Sequence, residues 1–96
     1  MPYADPLTDD EVQRALAGLE GWTREADAIR RTVVCADFRG AIALVNAVAD
    51  AAEAADHHPD IEIVWRRVTF RLTSKASGGI TARDFDMAAV IERSVS

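Results

Sequence analysis

Apolar side chains at Leu7, Val12, Leu16 and Leu19 recur at helical spacing, and Thr8 with Glu11 forms a Thr-x-x-Glu capping box ahead of them. A first helix is predicted over about residues 8–18, ended before Gly21. Two short strands follow, at about residues 22–24 and 28–36, around a Glu25-Ala26-Asp27 turn. In the second strand Ile29, Arg31, Val33 and Cys35 share one face and Arg30, Thr32 and Val34 the other, the parity of a sheet with one covered side. Asp37 can cap a long second helix whose stripe of Phe38, Ala41, Ile42, Val45, Val48, Ala49 and Ala52 is expected to lie on the sheet. Pro59 disfavours helical geometry at His58, so this helix should stop near His57. A second strand pair, at about residues 60–65 and 67–74, reads as an antiparallel hairpin across a tight connection at Arg66. Ser77-Gly78-Gly79 supplies a loop, and Thr81 with Asp84 makes a second capping box for a last helix carrying Phe85, Ala88, Ala89 and Val90 or Ile91.

The predicted order is α-β-β-α-β-β-α. Short connections favour antiparallel neighbours, so the expected fold is α+β: one four-stranded antiparallel sheet with helices packed on one face. With 96 residues the chain can bury a single core, and residues 1–96 are expected to form one domain.

Composition narrows the classes of function. A net charge of −5 argues against a phosphate-binding surface, and the local run of Arg66, Arg67, Arg71 and Lys75 reads as a solvated face. Direct nucleic-acid binding is not expected. Cys35 is the single cysteine, which excludes an intramolecular disulfide and points to a reducing compartment. No secretory pattern opens the chain and no apolar stretch reaches membrane-spanning length, so a cytoplasmic protein is expected.

The candidate chemistry lies at the end of the second helix. Asn46, Asp50, Glu53 and His57 fall at spacings of four, three and four on an ideal helix, so Glu53 and His57 are expected to face together. A carboxylate in that position accepts from an imidazole and fixes its tautomer. His57 and His58 then place two titratable rings in a segment whose direction Pro59 has just set. The same two residues would equally complement the negative end of a helix. With only two histidines in the chain, on adjacent positions, no metal site is expected.

Over about residues 7–93 the chain resembles the pterin-4a-carbinolamine dehydratase family. The resemblance rests on Gly21-Trp22, Asp37-Phe38, Glu53-x-x-x-His57-His58-Pro59, Trp65, and Gly78-Gly79 leading to Thr81-Ala82-Arg83-Asp84. It implies an α+β fold with a four-stranded sheet and three helices, matching the order above. It implies a reaction that removes water from 4a-hydroxytetrahydropterin, the product left by an aromatic amino acid hydroxylase, to give quinonoid dihydropterin. No metal or organic cofactor is implied, because pterin is the substrate. By resemblance His57 is an acid-base group, His58 holds the pterin and aids proton transfer, and Glu53 orients His57. Pro59, Trp65, Lys75 and Asp84 would complete the substrate site, with Asp84 at its edge. A homodimer or homotetramer is also implied. Lys75 departs from the pattern, standing where enzymes of the family commonly carry a third active-site histidine. That departure keeps a second class of function in view, since dehydratase-like proteins also serve as a dimerisation partner of a homeodomain transcription factor or as a RuBisCO assembly factor.

Overall fold

The computed structural model describes residues 5–95; residues 1–4, part of the lead read above as lacking a secretory pattern, lie outside it, as does Ser96. Helix α1 spans Asp9–Ala17, and its capping box forms as predicted: Glu11 N–H donates to Thr8 Oγ1, and Thr8 N–H donates to Glu11 Oε1. Strands β1 (Thr23–Glu25) and β2 (Ala28–Val34) precede α2 (Phe38–Ala55), which Asp37 caps by accepting from Gly40 N–H at 2.7 Å. Strands β3 (Asp60–Val64) and β4 (Arg67–Leu72) follow, then a single 3-10 turn over Lys75–Ser77 and helix α3 over Ala82–Val95. The order α-β-β-α-β-β-α and the antiparallel sheet are those the sequence predicts.

The sheet runs β1-β2-β4-β3, with every neighbouring pair antiparallel. The central β2–β4 pairing sets Arg31 opposite Phe70 and Val33 opposite Val68, so the covered faces of both strands coincide. Ile29 and Val33 from β2 and Val68, Phe70 and Leu72 from β4 are buried against the helices. Each such side chain removed from water stabilises the fold by about 1.5–3 kcal/mol before entropy is counted.

The buried stripe of α2 is Ala41, Leu44, Val48 and Ala52. Phe38, Ile42 and Ala49, expected on the sheet, are exposed. Spacings of three, four and four centre the covered face on Leu44, and positions one residue away lie about 100° around the helix. The strand limits also shift slightly. The β3–β4 turn is made by Trp65 and Arg66 together, with Val64 paired to Arg67, and β4 ends at Leu72 rather than Ser74. Beyond it the chain leaves the ladder, and an isolated bridge from Ser74 to Gly79 folds residues 74–79 into a compact loop.

At the other end of the core, Gly21 takes φ of 90°, which no side chain adopts without strain. An added Cβ there would stand 2.7 Å from Arg31 Nη1, because the guanidinium lies against the glycine. Arg31 Nε donates to Glu92 Oε1 at 2.8 Å, and Trp22 Nε1 donates to the same oxygen at 2.7 Å. This contact ties α3 to the sheet and to the α1–β1 loop.

Candidate active site

Helix α2 ends two residues earlier than its periodicity suggests, and the way it ends determines how the histidines are held. Asp56 adopts the left-handed conformation, φ 50° and ψ 44°, with its N–H directed at the carbonyls of Ala52 and Glu53. Aspartate tolerates this conformation better than most residues, because its short polar side chain can bond locally. The reversal carries His57 off the stripe that holds Glu53. Consequently Glu53 meets His58: His58 Nε2 donates to Glu53 Oε2 at 2.5 Å, on an exposed part of the surface.

His57 turns inward and donates from Nε2 to Asp84 Oδ1 at 2.6 Å. Its side chain is 11% exposed and that of Asp84 is fully buried. The expected pairing of Glu53 with His57 is thus replaced by two pairs, Glu53 with His58 and Asp84 with His57. The carboxylates accept, so each neutral ring carries its proton on Nε2 and its lone pair on Nδ1.

Asp84 lies at the centre of the site's support rather than at an open edge. It is the third residue of α3, where the helix N-terminus favours a negative charge. Its Oδ2 accepts from Thr81 N–H and from Ser74 Oγ–H, both at 2.9 Å. Ser74 has one hydroxyl proton, so its 2.8 Å contact with Thr81 Oγ1 is donated by threonine. Thr81 Oγ1 in turn accepts from Arg83 N–H at 3.2 Å. The predicted capping box is therefore present in modified form, with the threonine hydroxyl taking the second helical N–H and the aspartate returning to the threonine amide. Every donor in this chain is directed towards the carboxylate that orients His57, and among the described residues no buried side-chain polar atom lacks a partner.

His57 and His58 line one cleft of about 280 Å³ with Asp56, Asp60, Thr73 and Lys75. That volume is close to the lower limit of small-molecule sites, about 300 Å³. Ser74, Arg71 and Arg83 contribute to the same walls. Sequence spacing does not single out Asp56, Thr73, Ser74 or Arg83; the Thr81-Ala82-Arg83-Asp84 motif contains one of them, but its long-range contacts carry no local signature. Pro59 does not itself line the cleft; it stands in the chain between His58 and Asp60, which do, and leads into β3. Lys75 reaches the cleft. Trp65 does not: it is at the opposite end of β3, about 16 Å along the strand. There it is 67% exposed, with the Arg66 guanidinium 4.8 Å from its ring centroid. Among the described residues no group of three or more histidine, cysteine or acidic side chains is placed to hold a metal ion, and no helix is long and apolar enough to cross a membrane.

Fold and site together define the class: a small α+β domain with a four-stranded antiparallel sheet and a helix-end pair of carboxylate-bound histidines opening on a cleft. Residues 5–94 match the model of the family described as pterin 4 alpha carbinolamine dehydratase. A protein of Mycobacteroides abscessus is 49% identical over 89 residues, covering 93% of this chain and 95% of its own. One of Koribacter versatilis is 57% identical over 82 residues, covering 85% and 87% respectively. Both carry the provisional name pterin-4-alpha-carbinolamine dehydratase. The crystal structure of a transcriptional coactivator/pterin dehydratase from Brucella melitensis superposes with a TM-score of 0.92 at 31% identity, covering 96% of this chain and all of that one. The chain belongs to the pterin 4 alpha carbinolamine dehydratase family. Its function at the level of the family is dehydration of a pterin substrate.

Proposed function

We propose that this cleft converts 4a-hydroxytetrahydropterin to quinonoid dihydropterin and water, with His57 and His58 as the acid-base groups. One observation supports this above the others: two imidazoles line one cleft, and each has its Nε2–H committed to a carboxylate. That commitment leaves Nδ1 of each ring as the atom able to accept or deliver a proton. In the reaction the C4a hydroxyl oxygen takes a proton and the C4a–O bond breaks as the N5 lone pair forms a C4a–N5 double bond. The N5 proton then leaves to a base, so one proton is supplied, one is recovered and water is the sole by-product. Imidazole suits both transfers near neutral pH.

The two rings differ in enclosure. His57 is nearly enclosed and held by a buried carboxylate, whereas the His58 side chain is 56% exposed and its partner Glu53 is 78% exposed. His57 is the better-fixed group for the reacting edge, and His58 holds the ring and exchanges protons with solvent. Asp84 and Glu53 act through the histidines as positioning residues. The Asp56 carboxylate, also on the cleft, offers acceptors that match the amino and N3–H donors of the pterin pyrimidine. Pro59 sets the direction of the His58 segment, and Lys75 supplies a cation where a third imidazole would stand.

Turnover of synthetic 4a-hydroxytetrahydropterin tests the reading against the spontaneous reaction. His57→Ala and His58→Ala should each lower the catalysed rate by about 10²–10⁴-fold. A wild-type rate no faster than the background would sink the enzyme and leave the second reading, a binding or assembly factor. Lys75 in place of histidine and the coactivator half of the Brucella protein's description favour that alternative. Lys75→His is expected to change the rate on a neutral pterin by less than about tenfold, since two free Nδ1 atoms already cover the acid and the base. We further infer a cytoplasmic homodimer or homotetramer that serves an aromatic hydroxylase. Association is supported by the exposed apolar side chains Val34, Phe38, Ile42, Ile61, Val64 and Trp65, which a monomer leaves in water.

A further inference from the structure

The acid-base chemistry leaves the cations of the cleft unused. Arg71, Lys75 and Arg83 all line it, yet their situations differ. Arg71 is balanced within the fold, with Nε 3.0 Å from Glu25 Oε1 and Nη1 3.9 Å from Asp60 Oδ2. Arg83 directs Nη2 to the backbone oxygens of Asp56, at 2.8 Å, and Ala55, at 3.4 Å, where it complements the negative end of α2. Lys75 is exposed at the start of the 3-10 turn; its carbonyl accepts from Gly78 N–H at 3.1 Å, but its ammonium makes no hydrogen bond or ion pair with any described residue. Acidic residues outnumber basic ones by 16 to 11 in this chain, so a lysine on a cleft wall without a counter-ion is not explained by the packing.

We propose that the cleft selects pterins whose side chain carries an anionic group, a carboxylate or a phosphate, and that Lys75 is the specificity-determining residue that receives it. The inference rests on the pterin reading above. On the pterin ring the substituent is borne by C6, which is bonded directly to N5. A ring whose N5 and C4a face the two imidazoles therefore projects its substituent from the reacting edge towards an adjoining wall. Its amino-pyrimidine edge, rich in donors, lies at the far end of the bicycle and is the part suited to Asp56. The cleft thus offers an unsatisfied acceptor for the donor edge and an unsatisfied ammonium for a substituent. A lysine ammonium has three donors and no acceptor, so it discriminates by charge rather than by shape.

The probes are 6-carboxypterin and 6-hydroxymethylpterin, two stable ligands that differ in charge at C6. Each is titrated into the full chain by calorimetry at low and at high salt. The carboxylate is expected to bind about tenfold more tightly at low salt. That preference should shrink at 1 M salt, where the screening length falls to about 3 Å. Lys75→Met should abolish it and Lys75→Arg should retain most of it. Because the Lys75 side chain makes no bond in the fold, both variants should melt as the parent does. Equal affinities for the two ligands, or a preference that Lys75→Met keeps, overturn the inference and leave the pterin reading standing. Binding of neither ligand overturns both.

Discussion

Asp84 divides its two oxygens among three donors, and the division separates its structural duty from its duty to the site. Oδ2 serves Thr81 and Ser74, while Oδ1 serves His57 alone. Asp84→Asn preserves the shape but replaces one oxygen with an NH₂ group, which must then face a donor. Turnover of the carbinolamine is expected to fall by about 10²-fold or more, with KM little changed, because the Asp84 side chain is fully buried and does not line the cleft. Steady-state kinetics check this, with a urea melt to separate loss of turnover from loss of fold. The capping half of this role is legible in the Thr81-x-x-Asp84 spacing, since it is local. The other half is not, because His57 and Asp84 are 27 residues apart and only the tertiary fold brings them together. The exchange of partners between Glu53 and the two histidines was hidden for a different reason. It depends on one left-handed residue, Asp56, at a helix end with no glycine to announce it.

Among the elements, α1 shows a helix start that is wholly local and therefore wholly readable. Glu11 has its carboxyl held below the ordinary glutamate range near 4.5, first by the hydrogen bond from Thr8 N–H and then by the Thr8 hydroxyl. A depressed carboxyl means that the folded chain binds this proton more weakly than the unfolded one. The stabilisation is fully present above the unfolded value and disappears as pH falls through the lower folded value. Thermal melts of Glu11→Gln and the parent should differ at pH 7, and the gap should close as the pH is taken below about 4. Helix α2 was less readable. Its apolar residues cover more of the circumference than one face, and the sheet engages only the strip centred on Leu44. Phe38 and Ile42 belong to the uncovered remainder.

For the molecule as a whole, strand polarity followed from short connections, but the β2–β4 pairing that places the two hairpins side by side spans the whole of α2. Nothing local encodes it; the matched covered faces of the two strands do. Helix α3 is held to the sheet by Met87, Ala88 and Ile91 in the core and, at its far end, by the Arg31, Glu92 and Trp22 contact against Gly21. Gly21→Ala should lower stability by about 1–3 kcal/mol, through strain at positive φ and displacement of the Arg31 guanidinium. Chemical denaturation measures that loss, and turnover under conditions where the variant is folded should be unaffected, since none of these residues lines the cleft. The hydrogen-bond chain from Arg83 through Thr81 and Ser74 to Asp84 has a corresponding consequence for durability. The first turn of α3 and the orientation of His57 share these contacts, so fraying of that turn would release the ring before the core opens. Loss of turnover on warming is therefore expected ahead of the global transition, and hydrogen exchange should show a ligand that engages His57 protecting the backbone amides of that turn.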